Sequence, residues 1–283
     1  VGAIPIAQGL IKAGASLEVV NSQGKTPLHE SLSGEYDMLQ FLLAQGAEVD
    51  APKRGDWTCL HVAAGKGSLA VLRSLLAYGA DPLQRTRDGR SPLHLAAAEG
   101  HLEVARILLS SAPTAATLRT QTDRLPVHAA ALAGHADLAI NLLRAAPDTL
   151  MAKDSSGTTP LLSAVASGNL PLVQDLLHHW GLSAQKDCDV QGRNWAHLAA
   201  MTGKVSMLEE ASRHGVPLDL PDIWDHWTPM HYAVRYGRLK AVSFLLAAHI
   251  DLSRRDRQGR SYRDIAKMWD FAEVDKMLEE AEG

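Results

Sequence analysis

The sequence is poor in the residues that build aromatic cores, disulfide frameworks and nucleic-acid surfaces. Aromatic residues make up 5% of the 283 residues, so aliphatic side chains must supply the core. Cys59 and Cys188 form no CxxC pair, which argues against a cysteine-rich zinc or disulfide fold. Lys and Arg number 28 against 32 Asp and Glu, a balance that argues against nucleic-acid partners. No apolar run reaches about 18 residues, so we expect no membrane partner.

What the sequence does contain is an internal repeat. A tetrad of the type Ser/Thr-Pro-Leu-His recurs at intervals of 32 to 35 residues, followed in most copies by a glycine and then a Leu–Leu pair. In one late copy Ala211 and Ser212 replace the leucine pair, which predicts a shallow core near residues 209–215. The fourth position of the tetrad is occupied by His29, His61, His94, His128, Leu162, His197, His231 and Asp264.

Each copy has the signals of two short helices separated by a glycine turn. In the stretch SPLHLAAAEG, Ser91 is a good N-cap and Pro92 suits the first helical position. Gly100 can adopt the left-handed conformation that ends a helix. One such unit cannot bury its own apolar face, whereas stacked units can, so the repeat predicts a solenoid.

The tetrad TPLH at residues 26–29 and the Gly-His turn at residues 100–101 resemble ankyrin repeats. Tetratricopeptide repeats have a similar period, but their Trp, Leu-Gly and Tyr positions are absent. The resemblance implies an all-α ankyrin-repeat solenoid of helix-turn-helix units joined by β-turn fingers, with fingers and first helices lining a concave face. We expect a single domain, 1–283, with a partial first repeat 1–20, full repeats at about 21–52, 53–85, 86–118, 119–153, 154–187, 188–221 and 222–254, and a capping repeat 255–283.

The 13 histidines raise the question of a chemical role. Six occupy the tetrad, where a ring can bond back to the helix cap, and His101 and His135 follow turn glycines. The adjacent His178 and His179 cannot place both rings on one helix face, and His226 with His231 has no zinc-type spacing. We therefore expect structural histidines, no metal, no cofactor and no catalytic residue. A metal-dependent or enzymatic activity hidden among the histidines stays open as an alternative.

The fingers and the outer ends of the first helices are the positions least required for packing. Arg and Lys collect there, and three of the six tryptophans fall on fingers. Trp, Tyr and Arg are enriched in binding hot spots. The alternative is that the tryptophans brace neighbouring fingers and the arginines are only solvated. The predicted partner-binding residues are Arg54, Trp57, Lys66, Arg90, Arg124, Arg193, Trp224, Trp227, Arg235 and Tyr236.

These features predict a non-enzymatic scaffold that binds a partner protein or an extended peptide, and the arginines would favour an acidic one. A narrower resemblance offers an alternative. The segments KRGDWT at 53–58 and SSAPTAATLRTQTDR at 110–124 are similar to ankyrin-repeat proteins that support an aminoacyl-tRNA synthetase. That resemblance implies an accessory factor of such a synthetase. The two free thiols fit an intracellular location, in the cytoplasm or alternatively the nucleus.

Overall fold

The computed structural model describes residues 3–34, 36–181 and 184–282. Within these ranges the chain forms seventeen α-helices, and its only β-type pairings are two isolated bridges, Lys53–Trp57 and Cys188–Asn194. The predicted all-α fold is therefore confirmed. In chain order, α1 to α17 span Ala3–Lys12, Pro27–Ser31, Tyr36–Ala44, Cys59–Lys66, Leu69–Ala77, Pro92–Glu99, Leu102–Ser111, Pro126–Ala133, Ala136–Ala145, Pro160–Ser167, Leu170–His178, Trp195–Thr202, Val205–Arg213, Pro229–Arg235, Leu239–Ala247, Tyr262–Met268 and Ala272–Glu282.

The chain divides into two compact units, Val1–Thr149 and Leu150–Gly283. In the first, the tetrad helices α4, α6 and α8 pack side by side, and so do the second helices α5, α7 and α9. In the second, α10, α12, α14 and α16 form one layer, and α13, α15 and α17 form the other. The repeat bounds predicted above, and their grouping into a single domain, stay a prediction. None of the described helices combines the length and apolarity needed to span a bilayer.

Small residues on the first helices let neighbouring helices approach closely. Ala96 and Ala97 of α6 are fully buried, and so are Val104 and Leu108 on the facing side of α7. Longer connections contain short 3₁₀ helices at Pro113–Thr117, Pro147–Thr149 and Ala184–Lys186. The first helix, α1, buries none of its side chains, and Ile6 is 66% exposed.

The tetrad histidines of α2, α4, α6 and α12 each tie the cap of their own helix to the next repeat. The backbone amide of Thr58 donates to Nδ1 of His61 over 3.2 Å. Nε2 of the same ring donates to the carbonyl of Arg90, in the following repeat, over 3.2 Å. The ring is therefore neutral and carries its proton on Nε2. The same bridge joins His29 to Trp57 at 3.2 Å, His94 to Arg124 at 3.0 Å and His197 to Trp227 at 3.1 Å.

The histidines of the Gly-His turns point back instead of forward. Nε2 of His101 donates to the carbonyl of Gly65 over 3.0 Å, and Nε2 of His135 donates to the carbonyl of Ala98 over 3.2 Å. Each bond again joins two successive repeats. The structural role predicted for the tetrad and turn histidines is thus confirmed by their hydrogen bonds.

Two first helices, α10 and α16, have no tetrad histidine, and other side chains bind at their N-termini. Where the tetrad ends in Leu162, the hydroxyl of Thr159 donates to the carboxylate of Asp187 over 2.5 Å, so a residue of the following connection supplies the link. In the last repeat, Oδ2 of Asp264 accepts from both the amide and the hydroxyl of Ser261, each over 2.8 Å. A carboxylate at a helix N-terminus also complements the helix dipole.

The fingers are held by aspartates that accept backbone amides. Oδ1 of Asp189 accepts from the amides of Gln191 and Arg193, each over 2.9 Å. Neighbouring fingers are then joined by single backbone bonds, such as the one from Val190 to Ser156 at 3.0 Å. Further bonds of this kind run from Arg87 to Gly55, Gln121 to Asp88, Ile223 to Gln191 and Arg257 to Asp225.

The neutral rings predict a loss of stability in acid. Burial lowers the pKa of His61, His94, His197 and His231 to about 4, from 6.5 in the unfolded chain. The unfolded chain therefore takes up protons first as the pH falls, so the stabilisation is complete above pH 6.5 and is lost progressively towards pH 4. At pH 5 we expect a loss on the order of 1–2 kcal/mol per histidine, measured by urea unfolding at pH 7 and pH 5.

The matched control for this effect is His94→Gln, which has no ring to titrate. The variant should be less stable at pH 7 but should lose less free energy of unfolding between pH 7 and pH 5 than the unchanged chain. Identical losses in the two proteins would contradict the assignment of acid sensitivity to these rings.

A pair of glycines tests the packing of the fingers. Gly89 and Gly79 both have positive φ, at +83° and +87°. A Cβ on Gly89 would lie 2.8 Å from the backbone nitrogen of Gln121 in the next finger, whereas one on Gly79 meets nothing within 4 Å. Both alanine variants bear the strain of a left-handed backbone, but Gly89→Ala should cost about 1–3 kcal/mol more in urea unfolding. Equal costs would show that the finger contact is unimportant.

Candidate functional site

A cleft of about 290 Å³ lies between α6, α8 and the fingers that precede them, within the unit Val1–Thr149. Its floor is apolar, because alanines of both helices face it and Leu132 is 43% exposed there. Arginines from two successive fingers supply the charge at its edge. The lining residues are Arg90, His94, Ala98, Thr120, Arg124, Ala129, Leu132 and Ala133.

Arg90 is held in place from two sides. Its Nε lies 2.6 Å from the carboxylate of Asp88, and its guanidinium lies 5.4 Å from the ring centroid of Trp57. The ammonium of Lys53 lies 5.5 Å from the same centroid. The half-buried ring of Trp57 thus has two cations within about 6 Å of its centroid, a cation–π arrangement that keeps the Arg90 guanidinium and the ring together. Arg124, which also lines the cleft, is exposed.

The other two predicted residues of this unit lie outside the cleft. Arg54 is exposed on its finger, and Lys66 is exposed at the end of α4. The ammonium of Lys66 donates to the carbonyl of Leu32 over 3.4 Å. The structure therefore brings Arg90 and Arg124 together, with Trp57 behind Arg90.

In the unit Leu150–Gly283, two predicted residues are engaged in the finger structure. Arg193 makes two contacts of 2.7 Å to the carboxylate of Asp189, and its side chain is 22% exposed. The indole nitrogen of Trp227 donates to Asp256 over 3.3 Å, and its ring packs edge-to-face on Tyr232 at 5.2 Å. The contacts of Trp227 agree with the bracing alternative, whereas Arg193 is bound to its own finger and is not merely solvated.

A second surface is formed by Arg235, Tyr236 and Trp269, which we call the aromatic patch. The guanidinium of Arg235 lies 3.4 Å from the ring centroid of Trp269 and 5.4 Å from that of Tyr236. Both aromatic side chains are more than two-fifths exposed. Trp224, on the preceding finger, is 55% exposed. Trp269 was not among the predicted residues, although it stands five residues after Asp264, as Tyr236 stands five residues after His231.

One group of three possible metal ligands occurs in the described residues. His178 at the end of α11, Glu210 on α13 and His214 just after α13 place their ligand atoms within 4.8 Å of one another. This group was not predicted from the sequence, because His178 lies one repeat before Glu210 and His214. The prediction that the chain holds no metal stays a prediction.

Cys59 stands where most tetrads have proline, at the start of α4. Its side chain is buried, and this burial raises the pKa of the thiol to about 12. A thiol protonated at neutral pH is a poor nucleophile. Cys188 is only half-buried.

Comparisons with known proteins agree with this architecture. The curated relatives include the inhibitor of Bruton tyrosine kinase from Mus musculus, 32% identical over 93 residues, which are 33% of this chain and 7% of that protein. The Homo sapiens protein of the same name is 35% identical over 77 residues, or 27% of this chain and 6% of that protein. Ankyrin repeat domain-containing protein 37 from Mus musculus is 30% identical over 98 residues, covering 35% and 61% of the two chains. The chain thus matches less than two thirds of the length of each of these relatives.

A solved structure and two family models also match ankyrin repeats, and together they cover more of the chain. The crystal structure of the human ASB11 ankyrin repeat domain superposes with a TM-score of 0.66 and 25% identity, covering 80% of this chain and 99% of that one. A model of single ankyrin repeats matches residues 23–54. The model described as ankyrin repeats in three copies matches residues 50–117 and 181–256, just over half of the chain. Together with the histidine-capped helix pairs, these matches show that the chain belongs to the ankyrin repeat family, whose repeats typically serve as non-enzymatic modules for protein–protein interaction.

Proposed function

We propose that the chain is a non-enzymatic scaffold that binds an extended acidic segment of a partner protein, and that the cleft between α6 and α8 is a principal contact. The observation that carries the proposal is the composition of the cleft. An apolar floor with the exposed Leu132 lies next to two guanidinium groups, those of Arg90 and Arg124. Apolar clefts with a few placed polar groups are the usual form of a binding site.

The two arginines would serve different parts of the interaction. A carboxylate of the partner can accept two parallel hydrogen bonds from the planar guanidinium of Arg124, the strongest pairing available to an arginine. Arg90 already has Asp88 and Trp57 as neighbours, so it loses less side-chain freedom when a ligand arrives. An apolar side chain of the segment, next to the acidic one, would lie on Leu132 and Ala129.

The aromatic patch is a second contact surface in this proposal. Tyr and Trp supply large rigid areas at low entropic cost, and Arg235 lies between the two rings. Trp224, Arg54 and Lys66 would add outer contacts. Trp57, Trp227 and Arg193 would act mainly by holding the fingers in shape.

Support for a protein partner comes from the family and from the relatives. Two of the relatives bear a name that describes action on another protein, a tyrosine kinase, although this chain matches less than a tenth of their length. The alternative function, an accessory factor of an aminoacyl-tRNA synthetase, is tested by the affinity capture described below. No described residue set favours an enzymatic reaction over binding.

The cleft is tested by changing its charge and its floor separately. Affinity capture with the unchanged chain, followed by mass spectrometry, identifies the partner, and binding is then measured by calorimetry. Arg124→Glu and Leu132→Asp should each weaken binding by about tenfold or more, since each removes a contact worth over 1 kcal/mol at a hot spot. Recovery of an aminoacyl-tRNA synthetase would favour the accessory-factor alternative.

The matched control is Arg144→Glu, which reverses an exposed charge in the last turn of α9, away from the cleft lining. It should leave affinity within about twofold. Circular dichroism confirms that each variant keeps its helices. Unchanged affinity in both cleft variants would remove the cleft from the binding surface.

A further inference from the structure

The repeat that lacks the leucine pair contains a buried carboxylate. Glu210 on α13 is 3% exposed, at the position held by Ile107 and Phe244 in other repeats. A buried ionised group is costly unless charged or hydrogen-bonding partners surround it. The side chains around Glu210 therefore indicate the role of its carboxylate.

One oxygen of the Glu210 carboxylate contacts an arginine, and the other lies near an amide and a histidine. Nη1 of Arg213 contacts Oε2 in an ion pair. Oε1 accepts from the amide nitrogen of Gln174 over 3.2 Å, and it lies 3.5 Å from Nε2 of His214. Oε1 is thus the oxygen directed at the histidine.

A second histidine, which belongs to the preceding repeat, completes the group. His178 is exposed at the end of α11, and its ring centroid lies 5.5 Å from that of His214. On its other side, His214 stacks on the fully buried ring of Trp195, with 6.3 Å between centroids and 27° between planes. His214 thus packs between the buried Trp195 and the exposed His178, with its Nε2 facing Glu210.

We propose that His178, Glu210 and His214 form a binding site for a divalent transition metal, with Zn²⁺ the best fit. Two imidazoles and one carboxylate are a known ligand set for zinc. Bonds of about 2.0–2.2 Å at tetrahedral angles place ligand atoms about 3.3–3.5 Å apart. The 3.5 Å between His214 and Glu210 matches this spacing, and all three ligand atoms already lie within 4.8 Å. A small rotation of His178 closes the remaining gap.

Metal binding here would join two successive repeats. His178 belongs to α11, whereas Glu210 and His214 belong to α13 and its C-terminal end, so the ion would connect two second helices where the leucine pair is missing. Three protein ligands leave a fourth position for water. The competing explanation is that His214 forms only an ion pair with Glu210, which needs neither His178 nor a metal.

The test is titration of the purified, metal-stripped chain with ZnCl₂ by calorimetry. We expect one Zn²⁺ per chain, a rise in the thermal unfolding midpoint on addition of Zn²⁺, and visible absorption bands of a four-coordinate ion when Co²⁺ replaces Zn²⁺. Mg²⁺ should give none of these signals, because it prefers oxygen ligands in octahedral geometry. Absence of stoichiometric Zn²⁺ binding would overturn the proposal.

Variants separate the designed site from accidental binding by surface histidines. His178→Ala and Glu210→Gln should each weaken Zn²⁺ binding by about tenfold or more and remove the Co²⁺ bands. His179→Ala removes the neighbouring exposed histidine, which lies outside the group, and should change the affinity by less than about twofold. Because His178 is exposed, its alanine variant keeps the test valid even if Glu210→Gln does not fold. Equal weakening by His178→Ala and His179→Ala would show that the binding is adventitious.

Discussion

The structure depends on a hydrogen bond that a neutral imidazole makes to the backbone of the next repeat. Nδ1 accepts from the cap of its own helix, and Nε2 donates to a carbonyl in the following finger, as His61 does to Arg90. One ring thus satisfies a free amide at a helix start and a carbonyl in a loop. The amide would otherwise be buried without a partner, at a cost of about 1–3 kcal/mol. The carbonyl of Arg90 also accepts from the amide of Thr86 over 2.9 Å, so the ring adds a second bond to it, one that joins two repeats. The ring must stay neutral to do this, since a protonated imidazole has no acceptor.

The same bond also positions the proposed binding surface. The carbonyls that receive it belong to Trp57, Arg90, Arg124 and Trp227, all of which were singled out for binding on other grounds. The backbone of each of these residues is fixed by the histidine one repeat earlier, so its side chain projects from a rigid point. Structural histidines and the finger residues predicted to bind a partner are therefore two ends of one interaction, so the proposed binding would depend on these bonds.

The repeat without the leucine pair carries polar side chains where the other repeats have apolar ones. Ala211 and Ser212 replace large leucines, and the buried Glu210 lies beside them with Arg213, His214 and Gln174 around it. These smaller side chains leave room for polar groups at a position that other repeats fill with apolar side chains. The proposed metal site would restore a connection between repeats that hydrophobic packing supplies elsewhere.

The family, the all-α class, the helix starts and the structural role of the tetrad histidines can all be read from the amino-acid sequence. This is so because caps, turn glycines and periodic leucines act over a few residues, and the repeat multiplies each signal. Packing between the repeats sets which arginines share a cleft, the hydrogen bond from Trp227 to Asp256 and the contact of Trp269 with Arg235. It also brought His178 to Glu210 and His214, from separate repeats. These outcomes depend on side-chain directions and on packing between repeats, which spacing along the chain does not give. The position of Trp269 is the exception, because it stands five residues after Asp264 as Tyr236 does after His231.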